Sequence, residues 1–136
     1  MPGLERFINA QKATYNTALA EVKNGNKTTH WMWYVFPQLQ GLGSSDKAQF
    51  YGIEDLDEAK AYLANPVLGK RLIAICEALI ELGENDALKI FGTPDHMKLK
   101  SSMTLFAQVP LANHIFKAVL QQYFGGQMDE RTLALL

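Results

Sequence analysis

Cysteine is almost absent from this sequence, since Cys76 is the single one among 136 residues. The chain can therefore form no internal disulfide and no cysteine-based zinc cluster. A lone thiol is typical of proteins kept in a reducing cytosol, and Cys76 falls on an apolar helical stripe. We therefore expect a cytoplasmic protein whose thiol is buried and unreactive.

Long apolar runs, a strong net charge and metal-ligand spacings are also lacking. No run could span a bilayer and the first residues have no signal-peptide core, so we expect no membrane partner. The formal net charge of −1 gives no field that would attract nucleic acid, which argues against such a partner. No two of His30, His96 and His114 have metal-ligand spacing, so neither a metal nor a cofactor is predicted.

The composition that is present indicates one globular domain over residues 1–136. Hydrophobic residues make up 48% of the chain and charged residues 20%, a balance that argues against disorder. No segment alternates with period two, whereas apolar residues from Leu4 to Val22 recur at three and four residues. We therefore predict an all-α fold, a single-domain irregular array of six to eight helices, several of them short.

Capping residues, prolines and glycines predict where these helices begin and end. The first helix is expected to stop before Gly25. The further predicted helices are 46–51 after a Ser45 cap, Asp55 to about Leu63, Asn65-Pro66 to Gly83, 86–91 after an Asn85 cap, Thr93-Pro94 to about Gln108, Leu111 or Asn113 to Phe124, and a last turn after an Asp129 cap.

The segment from His30 to Gly43 concentrates aromatic residues, including both tryptophans of the chain, Trp31 and Trp33. Large rings of this kind fill a protein core as readily as they line a pocket. In a pocket they would stack on a base or a sugar face, with His30 and Gln38 supplying hydrogen bonds. In the core they would only pack, and the sequence leaves both interpretations open.

The loop from Gly41 to Ser45 leads into a predicted helix. Backbone N–H groups of such a loop can hold a phosphate. The pattern is neither the P-loop nor the dinucleotide fingerprint. A glycine-permitted turn with a serine cap is the explanation that this pattern favours.

Lys98, Ser101 and Ser102 share one side of a predicted helix because they lie three and four residues apart. They could form a small anion or hydroxyl site, and a Ser–Lys nucleophile pair is conceivable. The alternative is a solvated helix face on which each serine bonds back to the preceding turn.

Motifs along nearly the whole chain resemble a known family. They are Phe7-Ile8-Asn9-Ala10-Gln11, Tyr15, His30-Trp31-Met32-Trp33, Phe36-Pro37-Gln38, Gly41-Leu42-Gly43, Tyr51-Gly52-Ile53, Ala61-Tyr62-Leu63, Pro66, Leu68-Gly69, Ile90-Phe91-Gly92, Lys98-Leu99, Ser101-Ser102-Met103-Thr104-Leu105-Phe106, Asp129 and Thr132-Leu133. The chain resembles the bacterial domain-of-unknown-function family numbered 1810, often labelled "calpastatin" in genomes.

This resemblance implies a mostly helical single domain and brings neither an established activity nor catalytic residues. The calpastatin label does not fit, because calpastatin inhibitor segments are disordered and this composition is that of a globule. A fainter likeness, in helical arrangement and a Trp-lined polar cleft, is to enzymes that cut N-glycosidic bonds in riboflavin intermediates or ADP-ribosylated bases. It is a fold-level analogy without matching motifs.

Two hypotheses for function follow, and the sequence does not decide whether the protein is an enzyme. In the first, a cleft binds a nucleotide-like or sugar-phosphate ligand. One version of this hypothesis is N-glycosidase-type hydrolysis, although the sequence shows no evident carboxylate that would stabilise the sugar cation. In the second, the aromatic segment or the apolar C-terminal tail binds a partner protein or a second copy of the chain. The predicted ligand-binding residues are Gln11, Tyr15, His30, Trp31, Trp33, Gln38, Lys98, Ser101 and Ser102.

Overall fold

A computed structural model describes residues 3–136, and within them the chain folds into helices and connecting loops without strands. The all-α prediction is confirmed. Residues 3–136 form nine helices, of which five have at least seven residues. One of the others, α2, is a single turn that no sequence signal predicted. The helices are α1 Glu5–Lys23, α2 Met32–Val35, α3 Asp46–Phe50, α4 Leu56–Ala64, α5 Leu68–Glu81, α6 Ala87–Phe91, α7 Asp95–Ala107, α8 Ile115–Phe124 and α9 Glu130–Leu135.

Helix α5 packs against α1, α4 and α8, and α7 packs against α8, so these helices enclose one core. The predicted stripe of α5 is buried, including Cys76 at 0% exposure. On α7 every residue from Ser101 to Phe106 is buried. This helix therefore crosses the interior and does not present a solvated face along its length. Among residues 3–136, no helix combines the length and apolar character needed to cross a membrane.

Most of the aromatic segment belongs to this core. Trp31 is 1% exposed and Phe36 is 0% exposed, and the Phe91 ring meets both of them edge-on. Trp33 alone among the segment's aromatic residues is only half-buried. The packing interpretation thus holds for three of the four rings, and Trp33 remains at the edge of the core.

Side-chain caps explain several helix starts. Ser45, Asp55 and Asp129 accept backbone N–H bonds at the first turns of α3, α4 and α9, as predicted. At α6 the cap is Asp86, whose carboxylate accepts from the Leu88 amide, so the prediction of Asn85 was one residue early. Helix α7 begins at Asp95 without any side-chain cap, and Thr93 does not fill that role.

A buried arginine holds the segment between α3 and α4 against α1. The Arg6 guanidinium donates to the carbonyl oxygens of Phe50 and Gly52 and pairs with the Glu58 carboxylate at 2.9 Å. Next to this segment, Ile53 forms a parallel β-bridge with Leu39. The bridge fixes the backbone that carries Gln38, because the Gln38 carbonyl accepts from the Ile53 amide.

Candidate functional site

A cleft of about 390 Å³ lies between the loop before α3, the first turns of α7 and the start of α9. Its volume is at the lower end of the range typical of small-molecule sites. The lining residues are Gln38, Leu42, Gly43, Ser44, Ser45, Ala48, Pro94, Met97, Lys98, Ser101, Asp129 and Arg131.

The loop wall is shaped by a close approach at Gly43. A Cβ atom at this position would lie 2.7 Å from the Cβ of Ala48, so a larger residue would push the loop away from α3. The Ser45 hydroxyl accepts from the Ala48 amide, which leaves its own hydrogen available to donate. Ser44 also lines the cleft, so two hydroxyl groups stand on this wall.

The α7 wall contributes the cation Lys98. Its ammonium lies 3.6 Å from the Asp95 carboxylate and 5.1 Å from the centroid of the Trp33 ring. Asp95 is also paired with Lys27 at 2.9 Å, so its negative charge is shared between two ammonium groups. Lys47 approaches the same indole, at 4.6 Å. Trp33 therefore lies beside two lysines, in the arrangement of cation–π contacts.

The α9 wall contributes a carboxylate and a second cation. One oxygen of Asp129 accepts from the amide and the hydroxyl of Thr132, and the Asp129 amide donates to the Thr104 hydroxyl. Arg131 donates to the Leu42 carbonyl at 3.5 Å, which links this wall to the loop wall. The cleft thus combines two cations, one carboxylate, two serine hydroxyls of the loop and the Gln38 amide.

A family model described as "Protein of unknown function (DUF1810)" matches residues 2–136. The chain belongs to the DUF1810 family. Its fold is similar to the crystal structure of the conserved hypothetical protein Rv1873 from Mycobacterium tuberculosis, with a TM-score of 0.95 and 49% identity over 98% of this chain and 95% of that chain. No curated protein matches the sequence significantly.

Membership of the DUF1810 family confirms the resemblance seen in the sequence and brings no established activity. Of the predicted ligand-binding residues, Gln38, Lys98 and Ser101 lie together in the cleft with the loop of residues 42–45. Trp33 adjoins them through a hollow of about 10 Å³, which has room for about one water molecule.

Three other predicted residues lie in the core and do not line the cleft. The Gln11 amide donates to the Tyr34 carbonyl at 2.7 Å and to the Tyr62 hydroxyl at 3.0 Å, so its hydrogen-bonding capacity is used for structure. The Tyr15 hydroxyl donates to a backbone carbonyl, and burial raises the pKa of Tyr15 to about 12. The Trp31 indole donates to the Glu21 carboxylate at 2.9 Å.

The remaining predicted residues are also outside the cleft. His30 is exposed and is not among the lining residues. Ser102 is fully buried, and its hydroxyl has no hydrogen-bond partner among residues 3–136. Ser101 does reach the cleft, but its hydroxyl donates to the Met97 carbonyl at 3.2 Å, the back-bonding arrangement considered as the alternative.

The sequence did not indicate the two other charged residues of the cleft, Asp129 and Arg131. Asp129 was predicted as a helix cap, which it is, but its place on the cleft wall depends on how α9 packs against α7. Arg131 was not predicted at all, because no local pattern links it to Lys98 across 33 positions of sequence. Within residues 3–136, no three or more His, Cys, Asp and Glu side chains are grouped so that they could hold a metal ion.

Proposed function

We propose that this protein binds a small phosphorylated molecule in the cleft between α7, α9 and the loop of residues 42–45. One observation carries the proposal: Lys98 and Arg131, from two separate helices, line the same cavity. Two cations facing one small cavity favour an anionic occupant, and a phosphate offers enough acceptors for both. The hydroxyls of Ser44 and Ser45 supply further hydrogen-bond donors from the loop wall of the same cleft.

The polar groups beside these cations favour a nucleotide-like or sugar-phosphate ligand over a bare anion. The side-chain amide of Gln38 forms no hydrogen bond with other residues in the 3–136 range, so both its donors and its acceptor are available to a ligand. Asp129 can accept hydrogen bonds from hydroxyl or amino groups, which a sugar or a base provides. Trp33 does not line the cleft, and Lys47 and Lys98 lie against its ring, so base stacking on this indole is a weaker expectation than phosphate binding.

Hydrolysis of an N-glycosidic bond is the reaction for which the cleft has a suitable group. When the bond between the sugar carbon and the base nitrogen breaks, the electron pair leaves with the base and positive charge develops on the sugar. Water then adds to the sugar carbon, and a proton is taken up by the base. The Asp129 carboxylate would stabilise the sugar cation, and it supplies the acidic group that the sequence alone did not reveal.

The binding proposal is tested by titrating the protein with adenosine monophosphate, ribose 5-phosphate and ADP-ribose while tryptophan fluorescence is followed. We expect saturable binding that Lys98→Ala and Arg131→Ala each weaken by about 10- to 100-fold, the loss typical of a charged hydrogen bond. Lys100→Ala is the matched control, since Lys100 is on the same helix but does not line the cleft. The Trp33→Phe variant should lose the fluorescence change, because the other indole is buried.

No saturation by any of these ligands up to about 1 mM, where binding is worth only about 4 kcal/mol, would overturn the proposal. Equal weakening by Lys98→Ala and Lys100→Ala would also overturn it, because the effect would then reflect overall charge.

For hydrolysis, release of free base is followed by chromatography. Asp129→Asn keeps the capping geometry and should abolish release while ligand binding persists; turnover by this variant at the native rate would remove Asp129 from the reaction.

A further inference from the structure

A second groove, of about 360 Å³, lies where the end of α9 meets the β-bridge and the start of α4. Four leucines form its apolar surface. Leu135 and Leu136 are 53% and 46% exposed, which is high for large aliphatic side chains, while Leu39 and Leu56 lie deeper. An exposed apolar surface of this kind, enclosed by polar residues, is typical of an interaction site.

The polar residues of this groove carry charge of one sign. Glu54, Asp55 and Asp57 line it, and no basic residue of the described part of the chain does. Asp55 is engaged as the cap of α4, whereas Glu54 and Asp57 form no ion pair within the described residues 3–136. The three carboxylates therefore produce a local negative potential that a cationic partner would neutralise.

Leu39 adds an unpaired backbone edge to the same groove. Its two neighbours make the bridge hydrogen bonds, with the Gln40 amide donating to the Ile53 carbonyl at 2.7 Å and the Gln38 carbonyl accepting from the Ile53 amide at 2.8 Å. In extended chain, alternate residues direct their N–H and C=O groups to opposite edges, so those of Leu39 turn away from Ile53. They have no hydrogen-bond partner in the described part of the chain, although Leu39 is only 4% exposed. Buried backbone groups of this kind are normally paired.

We propose that this groove docks an extended segment of a partner protein in which lysine or arginine alternates with aliphatic residues. The partner's backbone would pair with the unpaired N–H and C=O groups of Leu39 at the floor of the groove, which is strand addition to an unpaired edge. Alternate side chains of an extended segment point to opposite sides, so the aliphatic set covers the leucines and the basic set reaches Glu54 and Asp57. Apolar contact, charge and backbone pairing then all select the same occupant.

Fluorescence anisotropy with a labelled peptide of alternating lysine and valine, about six residues long like a typical strand, tests this proposal. We expect saturable binding that weakens as salt is added. The double variant Glu54→Gln/Asp57→Asn should raise the Kd about 10-fold, equivalent to about 1.4 kcal/mol. The matched control Glu77→Gln/Glu81→Gln changes net charge equally at exposed sites of α5 outside the groove and should leave the Kd unchanged.

The apolar and backbone contributions are tested separately. Leu135→Ser should weaken binding, whereas Leu88→Ser, at a leucine that is also half exposed but outside the groove, should not. A peptide with N-methylated backbone should bind much more weakly because it cannot pair as a strand. The proposal is overturned if the peptide does not saturate the protein, if the two acidic double variants weaken binding equally, or if the methylated peptide binds as tightly as the unmodified one.

Discussion

The guanidinium of Arg6 lies 2.9 Å from the carboxylate of Glu58, and the two side chains are only 4% and 16% exposed. Arg6 also donates to the carbonyls of Phe50 and Gly52, while Glu58 accepts from the Glu54 amide. One ion pair thus connects α1, α4 and the segment that forms the β-bridge. Because the bridge fixes the backbone at Gln38 and Leu39, the pair supports both the cleft and the groove.

Glu58→Ala is expected to lower the free energy of unfolding by about 3–5 kcal/mol, because it leaves a buried guanidinium without its carboxylate. Urea denaturation followed by circular dichroism measures the effect. Asp57→Ala, at an exposed neighbour on the same helix, is the control and should cost about 0.3–1 kcal/mol through the helix dipole. Equal losses in the two variants would show that the Arg6–Glu58 pair contributes no more to the free energy of unfolding than an exposed carboxylate does.

Stability should fall in acid through Glu21. Burial alone would raise the pKa of this carboxyl, but hydrogen bonds from Thr29, Thr28 and Trp31 outweigh it and lower the pKa from 4.5 to about 2. A carboxyl whose pKa is lower in the folded state stabilises the fold fully above its unfolded pKa. This contribution is therefore present above about pH 4.5 and is lost as the pH falls towards about 2.

Thermal unfolding of the native protein and of Glu21→Gln, measured at several pH values across this interval, tests the prediction. The melting temperature of the native protein should exceed that of the variant at neutral pH, and the difference should shrink as the solution becomes more acidic. A difference that stays constant down to about pH 2 would mean that other groups control acid unfolding.

Cys76 should resist thiol reagents in the folded protein. Its side chain is fully buried, and burial raises the pKa of the thiol, so almost no thiolate is present at neutral pH. Labelling by Ellman's reagent should therefore be slow in native buffer and complete within the mixing time in concentrated guanidinium chloride. Labelling at equal rates in the two conditions would contradict the buried position on α5.

Replacing Leu111 by glycine is expected to stabilise the folded protein. Its φ angle is +63°, in the left-handed region, and its side chain is 104% exposed, so it gains little from packing and carries backbone strain. Leu111→Gly should raise the free energy of unfolding by about 1 kcal/mol. Leu88→Gly, in helix α6 at 50% exposure, is the control and should lower it by about 1 kcal/mol; the same sign for both variants would refute the assignment of strain.

Helix ends could be predicted from the sequence wherever the signal is local. Ser45, Asp55 and Asp129 cap the helices that follow them, and Gly125 ends α8 in a left-handed conformation with φ of +61°. The single turn α2 was not predicted, because it has no side-chain cap and because three of its four residues, Met32, Tyr34 and Val35, are held by packing in the core. Local propensity is too weak to specify so short a helix.

The candidate site could be predicted only in part, for the same physical reason. Lys98 and Ser101 share a helix face, and Gln38 precedes the glycine loop. Local sequence patterns therefore predicted these three residues, which line the cleft. Gln11 was predicted to line the cleft because a polar side chain on an apolar helix stripe needs a partner. Its partners are the Tyr34 carbonyl and the Tyr62 hydroxyl inside the core. Arg131 enters the cleft through tertiary packing of α9, which no local pattern encodes.

The last helix separates the two surfaces described here. Asp129 and Arg131 at its start face the cleft, and Leu135 at its end faces the acidic groove, while Thr132 between them is fully buried. A shift of this short element would move both walls together. If binding at one surface shifts this helix, the change in affinity at the other surface is reciprocal, as thermodynamic linkage requires.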